Sequence, residues 1–147
     1  GSVVAEINGQ GGTVSEAYWW EYGGWGGGNV SGAVAARSVT LGEGYFLRSD
    51  APSVWNASGY IVDFPVSIVL GSAWNLIGVP YPPGWTASVL AWDINEQGGN
   101  TQQVDRWRYG GWQGHVVGYP FNDFPIEQGK GYFVNTANGV VWAPGGV

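Results

Sequence analysis

Short hydrophobic runs separated by glycine, proline and polar residues extend along the whole chain. Runs such as GYFLR, PVSIVL, WNLIGV, GHVVGY and GYFVN are rich in β-branched and aromatic residues and are bounded by turn formers. SVVAEI near the start has the same composition and is also predicted to be a strand. Since glycine and proline interrupt the chain every few residues, we expect no amphipathic helix of ordinary length. The pattern predicts an all-β fold, either a β-sandwich or a barrel-like domain.

The chain repeats itself at a spacing of 87 residues. Positions 1–60 align with 88–147 without a gap, and roughly one pair in three is identical. The matches include INGQGG with INEQGG, WEYGGWGG with WRYGGWQG, and GEGYF with GKGYF. We therefore expect a single β module, 1–147, built from a partial first unit, 1–60, and a complete second unit, 61–147. The spacing leaves open whether the units form one sandwich or two.

The strand predicted in QVDRWRY indicates which of its side chains face the core. Side chains alternate along a strand, so Trp107 and Tyr109 share one face while Arg106 and Arg108 share the other. Because an unpaired buried charge is costly, the arginine face should meet water and the Trp107 face should pack inward. The two glycines that follow supply the positive φ angles of a tight hairpin. The first copy should repeat this arrangement.

Composition and charge exclude several classes of protein. With 44% hydrophobic and only 11% charged residues, the 147-residue chain should fold around a core. Its net charge of -6 and lack of a basic run argue against a nucleic-acid partner. The most apolar stretch, 64–80, is broken by Ser, Asn, Gly and Pro, so we expect no membrane span. Because the chain opens with Gly-Ser, we also expect it to be a piece of a longer polypeptide.

Several of these motifs resemble a known group of bacterial modules. WNLIGVP, DRWRYGGWQ, DFPIEQGKGYFV and the closing VVW are similar to β-rich modules that recur in large secreted bacterial proteins. The resemblance covers roughly 74–142 and, less fully, 16–55. It implies a secreted, extracellular accessory module and carries no catalytic residue. The glycine and aromatic content is also similar to that of carbohydrate-binding modules attached to polysaccharide-degrading enzymes.

One tryptophan on the predicted exposed face is a candidate for sugar binding. Trp19 stands where the second copy has Arg106, and Glu21 stands where it has Arg108. An exposed indole beside a carboxylate suits a pyranose ring, whose apolar face stacks on the indole while its hydroxyls bond to the carboxylate. The alternative is that the other copy or a neighbouring module covers Trp19.

Further aromatic residues have no aromatic counterpart in the other copy. Tyr81 and Trp85 lie in the proline-stiffened loop YPPGW, and rigid loops commonly carry binding residues. Trp92 replaces a small residue of the first copy on a predicted strand. Tyr119 and Phe121 lie in GYPFNDFP. Each alone is explained by packing, but together they favour a binding surface.

Catalysis and metal binding are weaker hypotheses. His115 is the only histidine and has no serine or cysteine partner in a recognisable pattern, so we expect it at the surface and expect no catalytic triad. DINEQGGN carries oxygen ligands at alternate positions from Asp93, but position twelve is Val104 instead of the glutamate of a calcium loop. An Asx-rich turn is the favoured interpretation. We therefore predict no enzyme activity, no metal and no cofactor.

The sequence thus predicts a secreted, non-catalytic carbohydrate-binding module. Its expected ligand is a polysaccharide, with cellulose, another β-glucan or another plant cell-wall glycan favoured. Neighbouring modules of the same polypeptide are further expected partners. The predicted binding residues are Trp19, Glu21, Tyr81, Trp85 and Trp92. The alternative is a structural or adhesive spacer of a large cell-surface protein, in which the extra aromatic residues bury against neighbouring repeats.

Overall fold

The computed structural model describes residues 2–57, 66–80 and 84–145. Strand accounts for 42% of the described residues and helix for 17%, which confirms the predicted all-β class. All strand pairing in the described residues is antiparallel. In chain order the elements are α1 (Val3–Gly9), β1 (Val14–Glu21), β2 (Gly24–Asn29), α2 (Gly32–Ala36), β3 (Tyr45–Ser49), β4 (Ile68–Leu70), β5 (Ala73–Gly78), α3 (Ala87–Glu96), β6 (Thr101–Arg108), β7 (Gly111–Val116), β8 (Gly131–Thr136) and β9 (Val140–Trp142).

Two larger sheets organise the fold. The first unit forms a three-stranded sheet in the order β2-β1-β3, and the second forms a four-stranded sheet in the order β5-β8-β6-β7. Strands β4 and β9 form a separate two-stranded sheet. Strand β5 also meets the first unit, because Gly44 N donates to the Leu76 carbonyl and Gly78 N to the Gly42 carbonyl, both at 3.0 Å. These bonds tie the two units together.

Helices occupy places where strands were predicted, so the expectation of no amphipathic helix was wrong. In α3 the residues Ala87, Leu90, Ala91 and Ile94 follow the i, i+3, i+4, i+7 spacing of a helix face, and all four are fully buried. Trp92 falls on the outward side of this ten-residue helix and not on a strand. SVVAEI likewise begins helix α1 instead of a strand. The Ser2 hydroxyl accepts from the Ala5 amide and so caps the N-terminus of α1.

Helices α1 and α3 each pack on one face of a sheet and bury a separate apolar core there. In the second unit α3 lies against the face of β6 and β8 that carries Val104 and Val134. In the first unit α1 covers Val14 and Ala17 of β1. Because side chains alternate along a strand, the opposite face of each sheet is left free of these helices. That opposite face carries the aromatic rings described below.

The repeated INxQGG motif ends each of these helices. In the second copy Gly98 has a φ of 100°, and a Cβ on the next residue, Gly99, would collide with the Ile94 side chain. Asn95 pairs its side-chain amide with both backbone groups of Thr101, the first residue of β6. The first copy repeats these contacts between α1 and β1. The motif is therefore the terminus of a helix, whereas the sequence favoured an Asx-rich turn between two strands.

The prediction that Trp107 and Tyr109 face the core was wrong, and Arg106 explains why. Arg106 is 9% exposed, with its guanidinium 4.4 Å from the centre of the Phe124 ring and its Nε donating to Gln113 at 2.8 Å. An aromatic ring and an amide thus accommodate the buried charge. The adjacent residue Trp107 consequently lies on the face away from α3.

Candidate functional site

Two hairpins of matching geometry present tyrosines at their tips. The turn residues Tyr22 and Gly23 have φ angles of 53° and 74°, and Tyr109 and Gly110 have the same two values. Positive φ at both central residues defines the type I′ turn of a two-residue hairpin loop. The tyrosine rings project into solvent, with relative exposures of 103% for Tyr22 and 91% for Tyr109.

A tryptophan pair closes each hairpin one residue pair before the turn. Trp20 pairs with Trp25 across β1 and β2, with ring centres 5.2 Å apart and planes at 88°. Trp107 pairs with Trp112 across β6 and β7 at 5.0 Å and 74°. Edge-to-face contact of this kind adds about 0.5–1.5 kcal/mol beyond the area it buries. The pairs therefore hold the hairpins in a fixed shape.

Two phenylalanines join the hairpins into one surface. Phe133 contacts Trp20 at 5.4 Å and Trp25 at 5.4 Å, although both tryptophans belong to the first unit. Phe46 reciprocally contacts Trp107 at 5.4 Å and Trp112 at 6.3 Å in the second unit. We call these six rings the aromatic cluster: Trp20, Trp25, Phe46, Trp107, Trp112 and Phe133.

The aromatic cluster is packed on one side and open on the other. Phe133 is buried, whereas Trp25, Trp107 and Trp112 are 50%, 45% and 50% exposed. Three half-exposed indoles whose other sides are fixed by neighbouring rings form a rigid apolar surface, and such surfaces commonly mark interaction sites. Its chemistry suits the stacking of flat, apolar faces of a ligand.

Polar groups flank the tryptophan pair of the second unit. Asp105 lies on the same face as Trp107, because the two are separated by two positions on β6. The Gln103 amide donates to Asp105 Oδ1 at 2.7 Å. Burial raises the pKa of the Asp105 carboxyl, although the bond from Gln103 acts to lower it. These groups place a hydrogen-bond donor and an acceptor beside the indoles.

The predicted site residues Trp19 and Glu21 are brought together by an arginine. The guanidinium of Arg37 lies 4.0 Å from the centre of the Trp19 ring and 4.0 Å from a Glu21 carboxylate oxygen. Arg37 also pairs with Glu43 at 3.2 Å. Opposite β1, a Cβ on Gly26 would lie only 2.5 Å from Trp19 Nε1. The ring is half-buried, and Arg37 occupies a face on which a sugar was predicted to stack.

The other predicted residues lie elsewhere in the fold. Trp85 is half-buried against the core of the second unit, and its carbonyl accepts from Ile126 N at 2.8 Å. Trp92 is exposed on α3, on the side of the sheet opposite the aromatic cluster. Tyr81 lies outside the described residues. Of the cluster tryptophans, Trp107 and its first-copy counterpart Trp20 were predicted to pack inward, and the sequence signal that marks all four is the repeated W-x-Y-G-G-W pattern.

The remaining chemical candidates are structural in this fold. His115 is 2% exposed, so its predicted surface position was wrong, and its Nδ1 donates to the Phe121 carbonyl at 3.0 Å. Asp93 lies within α3 and accepts from Trp142. In the ranges described, no group of three or more His, Asp and Glu side chains is arranged to hold a metal ion. None of the described helices has the length and apolar character needed to cross a membrane.

Comparison of the chain with protein-family models, curated proteins and solved structures gives no match.

Proposed function

We propose that this chain is a non-catalytic carbohydrate-binding module of a secreted enzyme or surface protein, and that the aromatic cluster is its stacking surface. The observation that carries the proposal is the half-exposure of Trp25, Trp107 and Trp112 on one surface. The hairpin tips carry two further exposed rings, Tyr22 and Tyr109. An extracellular location goes with this function and is part of the proposal.

The size of the surface agrees with the affinity that such a module needs. Covering on the order of 80 Å² of apolar area per ring at about 25 cal/mol per Å² gives roughly 2 kcal/mol for each stacked ring. A millimolar dissociation constant corresponds to about 4 kcal/mol. Two stacked rings therefore reach this threshold before the cost of lost freedom on binding is counted, and a third adds roughly 2 kcal/mol towards that cost. Three of the four cluster tryptophans, Trp25, Trp107 and Trp112, are exposed enough to take part.

Rigidity also supports the proposal. Each exposed indole is fixed by an edge-to-face neighbour, as in the Trp20 and Trp25 pair with planes at 88°. The hairpins that carry these indoles end in tight two-residue turns. A preformed platform loses little side-chain entropy when a ligand binds, so more of the stacking energy remains as affinity.

We further propose that the two units are copies of one ancestral unit. Strands β1 and β6 begin and end 87 residues apart, and so do β2 and β7. The contacts of Phe46 and Phe133 with the tryptophans of the opposite unit are reciprocal. Pairing of two copies would explain why one aromatic surface draws equally on both.

The direct test is depletion of the purified domain from solution by insoluble cellulose, xylan, mannan and chitin. We expect one of these to remove the wild-type domain and the Trp112→Ala variant to remain largely in solution. Trp112→Tyr keeps a flat ring and should retain most of the binding. Trp92→Ala removes an exposed tryptophan on the other side of the sheet and is the matched control. Circular dichroism melting of each variant separates lost binding from lost folding.

Two results would contradict this proposal. If a folded domain is depleted by none of the four polysaccharides, the structural spacer becomes the better hypothesis. Neighbouring modules would then cover the exposed side of the aromatic cluster. If Trp92→Ala abolishes depletion and Trp112→Ala does not, the binding surface lies on α3.

A further inference from the structure

A second row of side chains crosses the same face of the four-stranded sheet, beyond the aromatic cluster. Trp74 pairs with Asn135, Asn135 pairs with Gln103, and Gln103 pairs with Val116. This register sets one residue from each of β5, β8, β6 and β7 side by side. Directly paired residues point to the same face of a sheet. The row therefore has a tryptophan at one end, two amides in its middle and an apolar residue at the other end.

The apolar end of the row continues into a surface pocket. Val116, Tyr119 and Phe121 line an open cavity of about 240 Å³. Both aromatic rings are largely exposed, at 63% for Tyr119 and 72% for Phe121. Pockets for drug-sized ligands measure about 300–1,000 Å³, so this cavity is suited to a single ring.

Several hydrogen bonds hold the loop that carries these exposed rings. The buried His115 donates from Nδ1 to the Phe121 carbonyl at 3.0 Å, and Asn122 Nδ2 donates to the Gly114 carbonyl at 3.1 Å. Tyr119 N donates to the Val116 carbonyl at 3.1 Å. The exposed aromatic side chains therefore project from a fixed backbone.

The stretch between the pocket and the aromatic cluster is open and polar. Gly114 lies directly opposite Asp105, and a Cβ at Gly114 would lie only 2.5 Å from Asp105 Oδ1. Glycine thus makes room for the Asp105 carboxylate and the neighbouring Gln103 amide, which lie over Gly114 and belong to partly exposed residues. Trp112 and Val116 are four residues apart on β7, which corresponds to roughly 13 Å along the strand.

The first unit lacks this arrangement. Glu16 occupies the position equivalent to Gln103, 87 residues earlier in the chain, and forms an ion pair with Arg48 at 2.9 Å. The stretch after β2, 30–36, contains no aromatic residue and forms α2. Of the described parts of the two units, only the second combines an open polar strip with an aromatic pocket.

We propose that the pocket of Val116, Tyr119 and Phe121 is a second sugar subsite, and that one extended neutral glycan runs along β7 from Trp112 over Gly114 into it. The inference rests on the proposed function and names its ligand class. The Asp105 carboxylate and the net charge of -6 disfavour an anionic chain. The separation of the two aromatic ends requires a ligand of several rings.

Calorimetric titration of the intact chain with short and long oligosaccharides tests the inference. The probes are trimers and hexamers of β-1,4-linked glucose, xylose, mannose and N-acetylglucosamine, with hexameric polygalacturonate as the anionic chain. For the sugar that binds, we expect the double variant Tyr119→Ala with Phe121→Ala to bind the hexamer about tenfold more weakly and the trimer unchanged. Trp92→Ala is the control and should match the wild type with both lengths.

The alternative outcomes separate the two proposals. If Trp112→Ala weakens binding while the double variant binds the hexamer like the wild type, the second subsite is wrong and the proposed function stands. If polygalacturonate binds as tightly as the neutral hexamers, the neutral ligand class is wrong. If no oligosaccharide binds the wild type and no polysaccharide depletes it, the proposed function itself fails. Unchanged melting temperatures confirm that the variants are folded.

Discussion

The buried indole of Trp142 connects the last described strand to α3 through one hydrogen bond. Its Nε1 donates to Asp93 Oδ2 at 2.7 Å, and the same oxygen accepts from Gly145 N at 3.1 Å. Trp142 is fully buried and Asp93 is 7% exposed. Replacing Trp142 with phenylalanine keeps an apolar ring but removes the donor, so the buried carboxylate loses its closest partner.

The expected loss of stability has two parts. A hydrogen bond to a charged group contributes about 1.5–3 kcal/mol. The smaller ring leaves a cavity of a few tens of Å³, which adds on the order of 1 kcal/mol at about 24 cal/mol per Å³. We therefore expect Trp142→Phe to lower the free energy of unfolding by about 2.5–4 kcal/mol. A domain with a stability of about 5–15 kcal/mol remains folded after this loss.

Urea unfolding followed by far-ultraviolet circular dichroism measures this change, and the first unit supplies the control. Trp55 precedes Trp142 by 87 residues, and its side chain is exposed. Trp55→Phe should change the free energy of unfolding by less than about 0.5 kcal/mol. A loss below about 1 kcal/mol in Trp142→Phe, at an unchanged m-value, would refute the stabilising role of the hydrogen bond. Equal losses in the two variants would refute the assigned difference in burial.

Two further changes test the hairpin turn and the start of α3. Gly110→Ala should lower the free energy of unfolding by about 1–2 kcal/mol, because Gly110 has a φ of 74°, a conformation that alanine adopts only at a cost. Gly111→Ala is the control. A Cβ at Gly111 would have no atom within 4 Å, so this variant should leave the melting temperature nearly unchanged. Asp123→Ala should cost about 0.5–2 kcal/mol at pH 7, because the carboxylate accepts from Ser88 N at 2.8 Å in the first turn of α3. Burial raises the pKa of Asp123, but hydrogen bonds from Ser88 and Thr86 outweigh it and hold the pKa below its ordinary value. This stabilisation is therefore present at neutral pH and is lost as the pH falls through the folded-state pKa. Urea unfolding of wild type and variant between pH 7 and pH 2 should therefore converge at the acid end, and a constant difference would contradict the assignment.

The strands were predictable where local signals alone decide them. The pattern of Trp-x-Tyr-Gly-Gly-Trp specifies a two-residue turn flanked by aromatic strands, and the structure has such turns at Tyr22 and Tyr109. Helix α3 was missed because the frequency of glycine and proline along the chain argued against helices, although neither residue occurs within 87–96, and because Trp92 is of a type common in strands. The spacing of Leu90, Ala91 and Ile94 was sufficient to identify the helix.

The orientation of β6 depended on a residue distant in sequence. The prediction assumed that Arg106 would remain in water, since burying an unpaired charge is costly. The Phe124 ring, in the loop before β8, provides a partner for the guanidinium at 4.4 Å. Alternation along β6 was correct, but the choice of inward face depended on a contact that no local pattern encodes.

The choice of binding residues also depended on contacts between residues distant in sequence. Aromatic residues shared at the spacing of 87 were assigned to packing, and unshared ones such as Trp19 were assigned to ligand binding. Arg37 covers Trp19, because α2 brings a guanidinium onto the ring at 4.0 Å. Shared rings such as Trp25 and Trp112 pack against the phenylalanine of the opposite unit on one side and remain half-exposed on the other. One ring can therefore pack on one side and remain exposed on the other. An aromatic residue that both units share is a candidate for ligand binding wherever the two units meet at that residue.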